Sequence, residues 1–256
     1  MPHKVIGIDV GGSSVKAGLV DVDSGKLIGE LFSAPTPPPA SPDGVMSVVA
    51  DLVGRFPGAI PRVGLAFPSV VQQGKVRTAA NVDKAWVGVD GVALAERTLG
   101  RPAVFLNDAD AAGIAEMRWG AGRGVAGTVI MLTFGTGIGT ALFTNGQLFP
   151  NTELGHMELR GMDAEKWASA SVKTARNLGW EEWIGRVNDY LERVNDLFWP
   201  DVLILGGAVS KDFDQFASLL RSRAEIRPAH FAGQAGVIGA ALAAVEHEQA
   251  RPWVCA

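Results

Sequence analysis

Apolar residues gather in short runs separated by glycine and polar turns, and the sharpest case lies near the start of the chain. Val5, Ile6 and Ile8 lead into Asp9-Val10-Gly11-Gly12-Ser13-Ser14, and Val15, Ala17, Leu19 and Val20 lead out. Runs of this length around glycine predict a strand, a tight loop and a second strand. Asp21-Val22-Asp23-Ser24-Gly25 then turns the chain into Lys26-Leu27-Ile28, which makes the region a β-meander. The pattern returns at Val129-Ile130-Met131-Leu132-Thr133, followed by Phe134-Gly135-Thr136-Gly137-Ile138-Gly139 and Thr140-Ala141-Leu142-Phe143, with Asn145-Gly146 closing a hairpin. Two such units in one chain imply an internal duplication.

Between and after them the pattern alternates. Ala34 to Pro42 holds five prolines and reads as a stiff surface connection, neither helix nor central strand. Ser41-Pro42-Asp43-Gly44 opens a helix through Val45, Val48, Val49, Leu52 and Val53 that stops before Pro57. Val63 to Phe67 predicts a strand, and Gln72 to Val89 loops and short strands. Leu94 to Leu99 reads as a helix ended by Gly100, and Pro102 to Leu106 as a strand delivering Asn107 and Asp108 at its end. Ala109 to Arg118 is a small-residue helix. Asp163 to Arg176 and Glu181 to Leu197 are helical, with Trp180, Trp183, Ile184, Val187, Tyr190, Leu191, Val194 and Leu197 near 3.6 spacing, a face for the core or a subunit interface. Asp201 to Leu205 is a buried strand running into Gly206-Gly207. Phe213 to Arg221 and Gly233 to Glu246 are the last predicted helices.

Composition narrows the class. A chain of 256 residues, 47% hydrophobic and 20% charged, can bury a sizeable core. With 23 basic against 27 acidic residues the net charge is −4, so no bulk field would gather nucleic acid or an anionic membrane. A polyanion would have to meet a local basic groove. The single cysteine, Cys255, allows neither a disulfide framework nor a cysteine zinc site. The chain enters its first strand at once, without a signal peptide, and no apolar run reaches about 18 residues. These features predict a cytoplasmic enzyme.

Glycine loops that bring backbone N–H groups together cradle phosphates. Here each loop returns to a strand and not to a helix N-terminus, which excludes a Walker loop, and Thr140 stands where a dinucleotide fingerprint needs glycine. An aspartate in the first loop would repel a phosphate, so Asp9 is expected to act through Mg²⁺ or a metal-held water. The loops together would clamp one polyphosphate from two sides. Asp108, at a strand end, fits a general base for phosphoryl transfer. The alternative for Asn107-Asp108 is a helix N-cap, and for Trp86 a place in the core.

The two loops resemble those of ROK-type sugar kinases in the actin/hexokinase/Hsp70 superfamily. The likeness extends through Arg77-Thr78-Ala79-Ala80-Asn81-Val82-Asp83-Lys84, Leu106-Asn107-Asp108-Ala109-Asp110-Ala111-Ala112-Gly113, Pro150-Asn151-Thr152-Glu153-Leu154-Gly155-His156, Asp163-Ala164-Glu165-Lys166-Trp167-Ala168-Ser169 and Gly206-Gly207. It is greatest to members that phosphorylate glucose, and in some cases mannose, from polyphosphate and/or ATP. The resemblance implies an α/β fold of two actin-like ATPase (ribonuclease H-like) domains with an interdomain cleft, divided as 1–108 plus 238–256 and 109–237. It implies Asp108 as base and Asn81, Asn107, Asp108, Glu153, His156 and Glu165 around the sugar. Asp9, Gly11, Gly12, Ser13, Lys16, Thr133, Gly135, Thr136, Gly137, Gly206 and Gly207 would face the donor, with Mg²⁺ as cofactor and a homodimer as the assembly. Cysteines follow the histidine in zinc-bearing members; here none lies between His156 and Glu165, so His156 is expected to serve the sugar with no metal behind it. Lys84, Arg118, Arg123, Lys166 and Lys173 are the candidate path for a long polyanion. The family's sugar-responsive repressors carry an N-terminal DNA-binding segment, which this sequence is not expected to have.

Overall fold

The computed structural model describes residues 4–58 and 60–249, the last three by their backbone alone. Cys255 lies outside these residues. In chain order the elements begin with β1 (Lys4–Val10), β2 (Ser14–Asp21), β3 (Lys26–Leu27), β4 (Phe32–Pro35), α1 (Pro42–Val53), β5 (Val63–Phe67), β6 (Val71–Gln72) and β7 (Lys75–Val76). They continue with α2 (Gly91–Leu99), β8 (Ala103–Asn107), α3 (Asp108–Trp119), β9 (Thr128–Phe134), β10 (Ile138–Thr144), β11 (Gln147–Phe149), β12 (Glu158–Leu159) and β13 (Met162–Asp163). The chain closes with α4 (Ala164–Ala168), α5 (Ala170–Ala175), α6 (Trp180–Phe198), β14 (Val202–Gly207), α7 (Phe213–Phe216), β15 (Glu225–Pro228) and α8 (Ala235–Gln249).

Two compact units result, residues up to Ala115 with Gln234 onward, and Glu116 to Gly233. The expected divisions after Asp108 and Val237 fall inside α3 and α8. The first turns of both helices pack within the first unit, where a Cβ on Gly239 of α8 would meet the Ala111 carbonyl of α3. Each unit is built on a sheet of the same plan. In the first the order is β3-β2-β1-β5-β8, with β4 also on β2, and in the second it is β11-β10-β9-β14-β15. The meander strands are antiparallel and the others parallel, β1 to β5 to β8 in one case and β9 to β14 to β15 in the other. The duplication read from the glycine loops is thus a duplication of sheet topology.

The two sheets are covered differently. In the first unit α8 lies so close to β1 and β5 that a Cβ on Gly7 would come 1.8 Å from the Val237 carbonyl oxygen and one on Gly64 1.8 Å from that of Ala240. Only residues without side chains permit this approach. Its other face buries Val45, Met46, Val49 and Leu52 of α1 against Ile6, Ile8, Val63 and Leu65. The α1 start is fixed by Ser41, whose hydroxyl accepts the Gly44 N–H, with Pro42 at the first helical position. In the second unit α6 presents Trp183, Val187, Tyr190, Leu191 and Val194 to Ile130, Leu132, Phe134 and Leu203. Phe134 meets Trp183 and Tyr190 edge-on at centroid distances of 5.7 and 6.3 Å. Among the described residues no helix is long and apolar enough to cross a membrane.

Three expectations change. Residues 32–35 form an edge strand on β2 instead of belonging wholly to a proline connection, since an edge strand tolerates Pro35 at its end. The predicted helix Asp163–Arg176 is broken at Ser169, whose backbone is extended (φ −65°, ψ 161°). The predicted helix Phe213–Arg221 lasts only through α7 and a 3₁₀ turn at Ala217–Leu219. There Asn188 of α6 competes for the backbone, donating to the Leu219 carbonyl at 2.9 Å and accepting the Arg221 N–H at 2.8 Å.

Candidate active site

In the first unit Asp9 sits one residue before the end of β1, opposite Lys16 on β2. Burial holds its carboxyl above the usual range, with Lys16 pulling the other way. The carboxylate lies against the first turn of α8, where a Cβ on Gly236 would come within 2.9 Å of its Cγ. The loop that follows is closed by the Gly11 N–H donating to Ser14 O at 2.9 Å. Thr36, just beyond β4, bonds it twice: its N–H donates to Ser13 O at 3.1 Å and its hydroxyl to Gly11 O at 2.6 Å. Asn81 is exposed beside this loop, its backbone oxygen 3.5 Å from where a Gly12 Cβ would stand. Lys84 is exposed on a 3₁₀ turn capped by Asp83. Trp86 is core: it is fully buried, donates to Ala40 O at 2.8 Å and packs 4.4 Å from Phe67.

Of Asn107 and Asp108, the first takes the N-cap place that the sequence offered for the pair. Asn107 is 6% exposed; its Oδ1 accepts the Ala109 and Asp110 N–H groups, and its Nδ2 donates to Ser69 O at 3.1 Å. It is the N-cap of α3, and an amide so engaged has one N–H to spare for a sugar. Asp108 is the first helical residue, its Oδ1 accepting the Ala109 N–H at 2.8 Å, at the end of the helix that favours negative charge.

In the second unit the loop Gly135-Thr136-Gly137 joins β9 to β10, with the Gly135 N–H donating to Gly137 O at 3.0 Å. Thr133 holds the place on β9 that Asp9 holds on β1, two residues before the first loop glycine. Gly206 and Gly207 pair with Thr133 and Phe134 in the parallel ladder. Gly207 has φ +86°, and a Cβ there would lie 2.2 Å from Phe134 O, so no other residue fits.

Glu153, His156 and Glu165 come together beside this loop. The 3₁₀ turn Leu154–His156 is pinned to β10 by Thr140, buried, whose hydroxyl donates to Thr152 O at 2.6 Å and accepts the Leu154 N–H at 3.2 Å. Gly155 lets the turn lie flat, since a Cβ would meet Ile138 O at 2.3 Å. The His156 imidazole then stands among three carboxylates: Nε2 is 3.7 Å from Glu153, and Nδ1 is 3.8 Å from Asp163 and 4.0 Å from Glu165. Lys166 pairs with Asp163 at 2.8 Å, which holds the Asp163 carboxyl below and the Lys166 amine above their ordinary values. Burial holds Glu153 above the carboxylate range, His156 opposing and Glu165 adding to it. Glu165 Oε2 accepts the Ile138 N–H at 3.3 Å and fills the space above Gly137, where a Cβ would be 2.2 Å away.

Potential ligand atoms of His156, Asp163 and Glu165 all lie within 4.8 Å of one another, a set that could hold a cation. Of the five candidate cations for a polyanion, Lys166 is in the ion pair described and Lys173 stands over the Trp180 ring at 4.2 Å. Lys84, Arg118 and Arg123 are exposed. Thr36, Thr140, Asp163 and Ser171 were missed from the sequence, and only the Thr140 signal, a hydroxyl in an apolar strand, was open to reading.

The ROK family profile matches residues 5–175. A polyphosphate glucokinase of Mycobacterium tuberculosis (strain CDC 1551 / Oshkosh) is 46% identical over 240 residues, 93% of this chain and 90% of that protein. The crystal structure of an inorganic polyphosphate/ATP-glucomannokinase from Arthrobacter sp. strain KM is 46% identical and superposes with a TM-score of 0.92, covering 95% of this chain and 99% of that one. A ROK family glucokinase from Streptomyces griseus, in complex with glucose and AMPPNP, is 24% identical with a TM-score of 0.79 over 93% and 98% of the two chains, a likeness of fold.

Proposed function

The chain belongs to the ROK family, and on that premise we propose that it is a glucokinase, moving a phosphoryl group from inorganic polyphosphate and/or ATP to the 6-hydroxyl of glucose. The observation that carries this is Glu165. One of its oxygens accepts an N–H at the end of the second glycine loop and the other approaches His156. A cluster suited to hydroxyls is therefore contiguous with a cradle suited to phosphates. The mycobacterial and Arthrobacter relatives support the donor and the sugar, and the glucomannokinase supports extending the acceptor to mannose.

In this reading Glu153, His156 and Glu165 hold sugar hydroxyls, joined by Asn81 and the remaining N–H of Asn107. Asp108 takes the proton of the 6-hydroxyl as its oxygen bonds to phosphorus and the donor's bridging P–O bond breaks. The loop residues Gly11, Gly12, Ser13, Gly135, Thr136 and Gly137 hold phosphate oxygens, with Lys16, Thr133, Gly206 and Gly207 alongside. Asp9 fits Mg²⁺: it is a hard oxygen donor in a site shielded enough to raise its pKa, so its ionised form gains from a further cation. When bound, the ion would neutralise charge on the donor phosphates. The same reading takes the enzyme as cytoplasmic and as a homodimer, for which exposed Leu197 and Trp199 near the end of α6 are surface to cover.

The test is a coupled assay for glucose 6-phosphate with ATP and polyphosphate run in parallel, on the natural protein and on Asp108→Asn. Turnover should depend on glucose and fall by about 10²-fold or more in the variant, with the fold intact. Donor consumption without glucose, or turnover unchanged in Asp108→Asn, would sink the assignment.

A further inference from the structure

A glycine loop cradles phosphate only while its N–H groups face the ligand. In a planar trans peptide the C=O and the following N–H point in opposite directions, so tying down a carbonyl aims the next N–H. Glycine peptides turn over easily, and a carbonyl facing a phosphate oxygen repels it.

Each loop here has two carbonyls tied by one hydroxyl-bearing residue. In the first, Thr36 gives its hydroxyl to Gly11 O and its N–H to Ser13 O. In the second, Ser171 gives its N–H to Gly135 O at 3.0 Å and its hydroxyl to Thr136 O at 2.7 Å. The Ser171 hydroxyl lies 2.9 Å from that of Ser169, which is 1% exposed. Since the Ser171 proton is given to the carbonyl, Ser169 is the donor between them, and the chain of bonds is ordered. The N–H groups of Gly12, Ser14, Thr136 and Gly137 are those aimed away from the braces. Space beside the second loop is open, as a Cβ on Gly135 would meet nothing within 4 Å.

The braces come from unrelated places, a strand edge in one unit and a short helix in the other. We infer that Thr36 and Ser171 are positioning residues for the phosphoryl donor, each presetting one glycine loop with its N–H groups outward. The inference rests on the proposed function, in that these loops hold the donor. It assigns no contact between either side chain and the substrate.

The experiment compares Thr36→Val and Ser171→Ala with the natural enzyme, varying glucose and donor separately. Thr36→Val removes one hydroxyl hydrogen bond, and Ser171→Ala removes two, the one given to Thr136 O and the one accepted from Ser169. The first corresponds to a loss of about tenfold or less in kcat/KM for the donor, and the second to a loss at least as large. KM for glucose should stay within about twofold, and the pair combined should lose more than either alone. Thr36→Ser and Ser171→Thr should restore donor use, which a volume or packing effect would not do. Equal losses for glucose and donor, or failure of the hydroxyl-restoring variants, overturns the inference. Titration of tripolyphosphate by calorimetry, without turnover, separates the two readings. Weaker binding in the variants supports the braces even if glucose proves not to be the acceptor, and unchanged binding overturns them even if glucokinase activity is confirmed.

Discussion

The same hairpin is built twice, and the two copies differ in what stands behind them. The β1–β2 hairpin belongs to a sheet backed by α8 through glycines, with backbone atoms of the helix occupying the space of absent side chains at Gly7 on β1 and Gly64 on β5. The β9–β10 hairpin belongs to a sheet packed by α6 through Phe134, Trp183 and Tyr190. One unit fixes its helix-to-sheet spacing by what is missing, the other by what is large. A local pattern of strand, glycine and strand is therefore enough to specify the hairpin twice, while the rest of each unit decides what charge the loop carries.

The strongest test of that contrast is stability. Trp183→Ala opens a cavity in the second unit and should cost about 3–5 kcal/mol. Gly64→Ala inserts a methyl against the Ala240 carbonyl, which forces the backbone aside and should cost about 1–3 kcal/mol or somewhat more. Both are read from denaturant midpoints at constant slope. A Gly64→Ala protein as stable as the natural one would mean that α8 can retreat, and that the close approach does not set the spacing.

Function sharpens the contrast next. Asp9 and Thr133 hold equivalent strand positions, yet one is a shielded carboxylate and the other a hydroxyl. Asp9→Asn should lower turnover by about 10²-fold, since in the proposed function it removes a preorganised charge on the donor side. Thr133→Val removes one neutral hydrogen-bonding group and should cost about tenfold or less. Titrating Mg²⁺ against both variants is the check, because only Asp9→Asn should need more metal. Equal effects would make the two loops interchangeable.

Much of this was legible beforehand where a residue type has few uses. Alternation with glycine gave both hairpins, and Asn107-Asp108 at a strand end marked a helix start whatever its chemistry. Trp86 went to the core, as an isolated tryptophan in a polar loop with a buried strand nearby would. What escaped were features decided by competition. Ser169 breaks a helix that the 3.6-residue pattern continues through, and the break is what carries Ser171 to the glycine loop. Proline at 35 hid an edge strand, and with it Thr36. Asp163 is unremarkable in sequence and gains its place only when β12 and β13 fold back to set it near His156.

The smallest predicted effect concerns pH, and it too divides the molecule. Asp9 in one unit and Glu153 in the other are both raised by burial, whereas Asp163 is held down by Lys166 and stays ionised as the pH falls. A carboxyl raised on folding binds protons in the folded state before the unfolded chain does. It therefore detracts from stability when ionised, and that loss is relieved as the pH falls through the raised value toward the ordinary one. Activity should move the other way, because in the proposed function Glu153 holds sugar hydroxyls and its protonated form can no longer accept two hydrogen bonds from them. The acid limb of kcat/KM for glucose should thus lie above the ordinary carboxylate range and appear while the protein is still folded. His156→Gln removes the group that opposes the Glu153 shift, so in that weakened enzyme the limb should move to higher pH. Following activity and near-UV circular dichroism over the same pH series decides it. An acid limb that coincides with unfolding, or one that His156→Gln moves downward, would assign the pH dependence to some group other than Glu153.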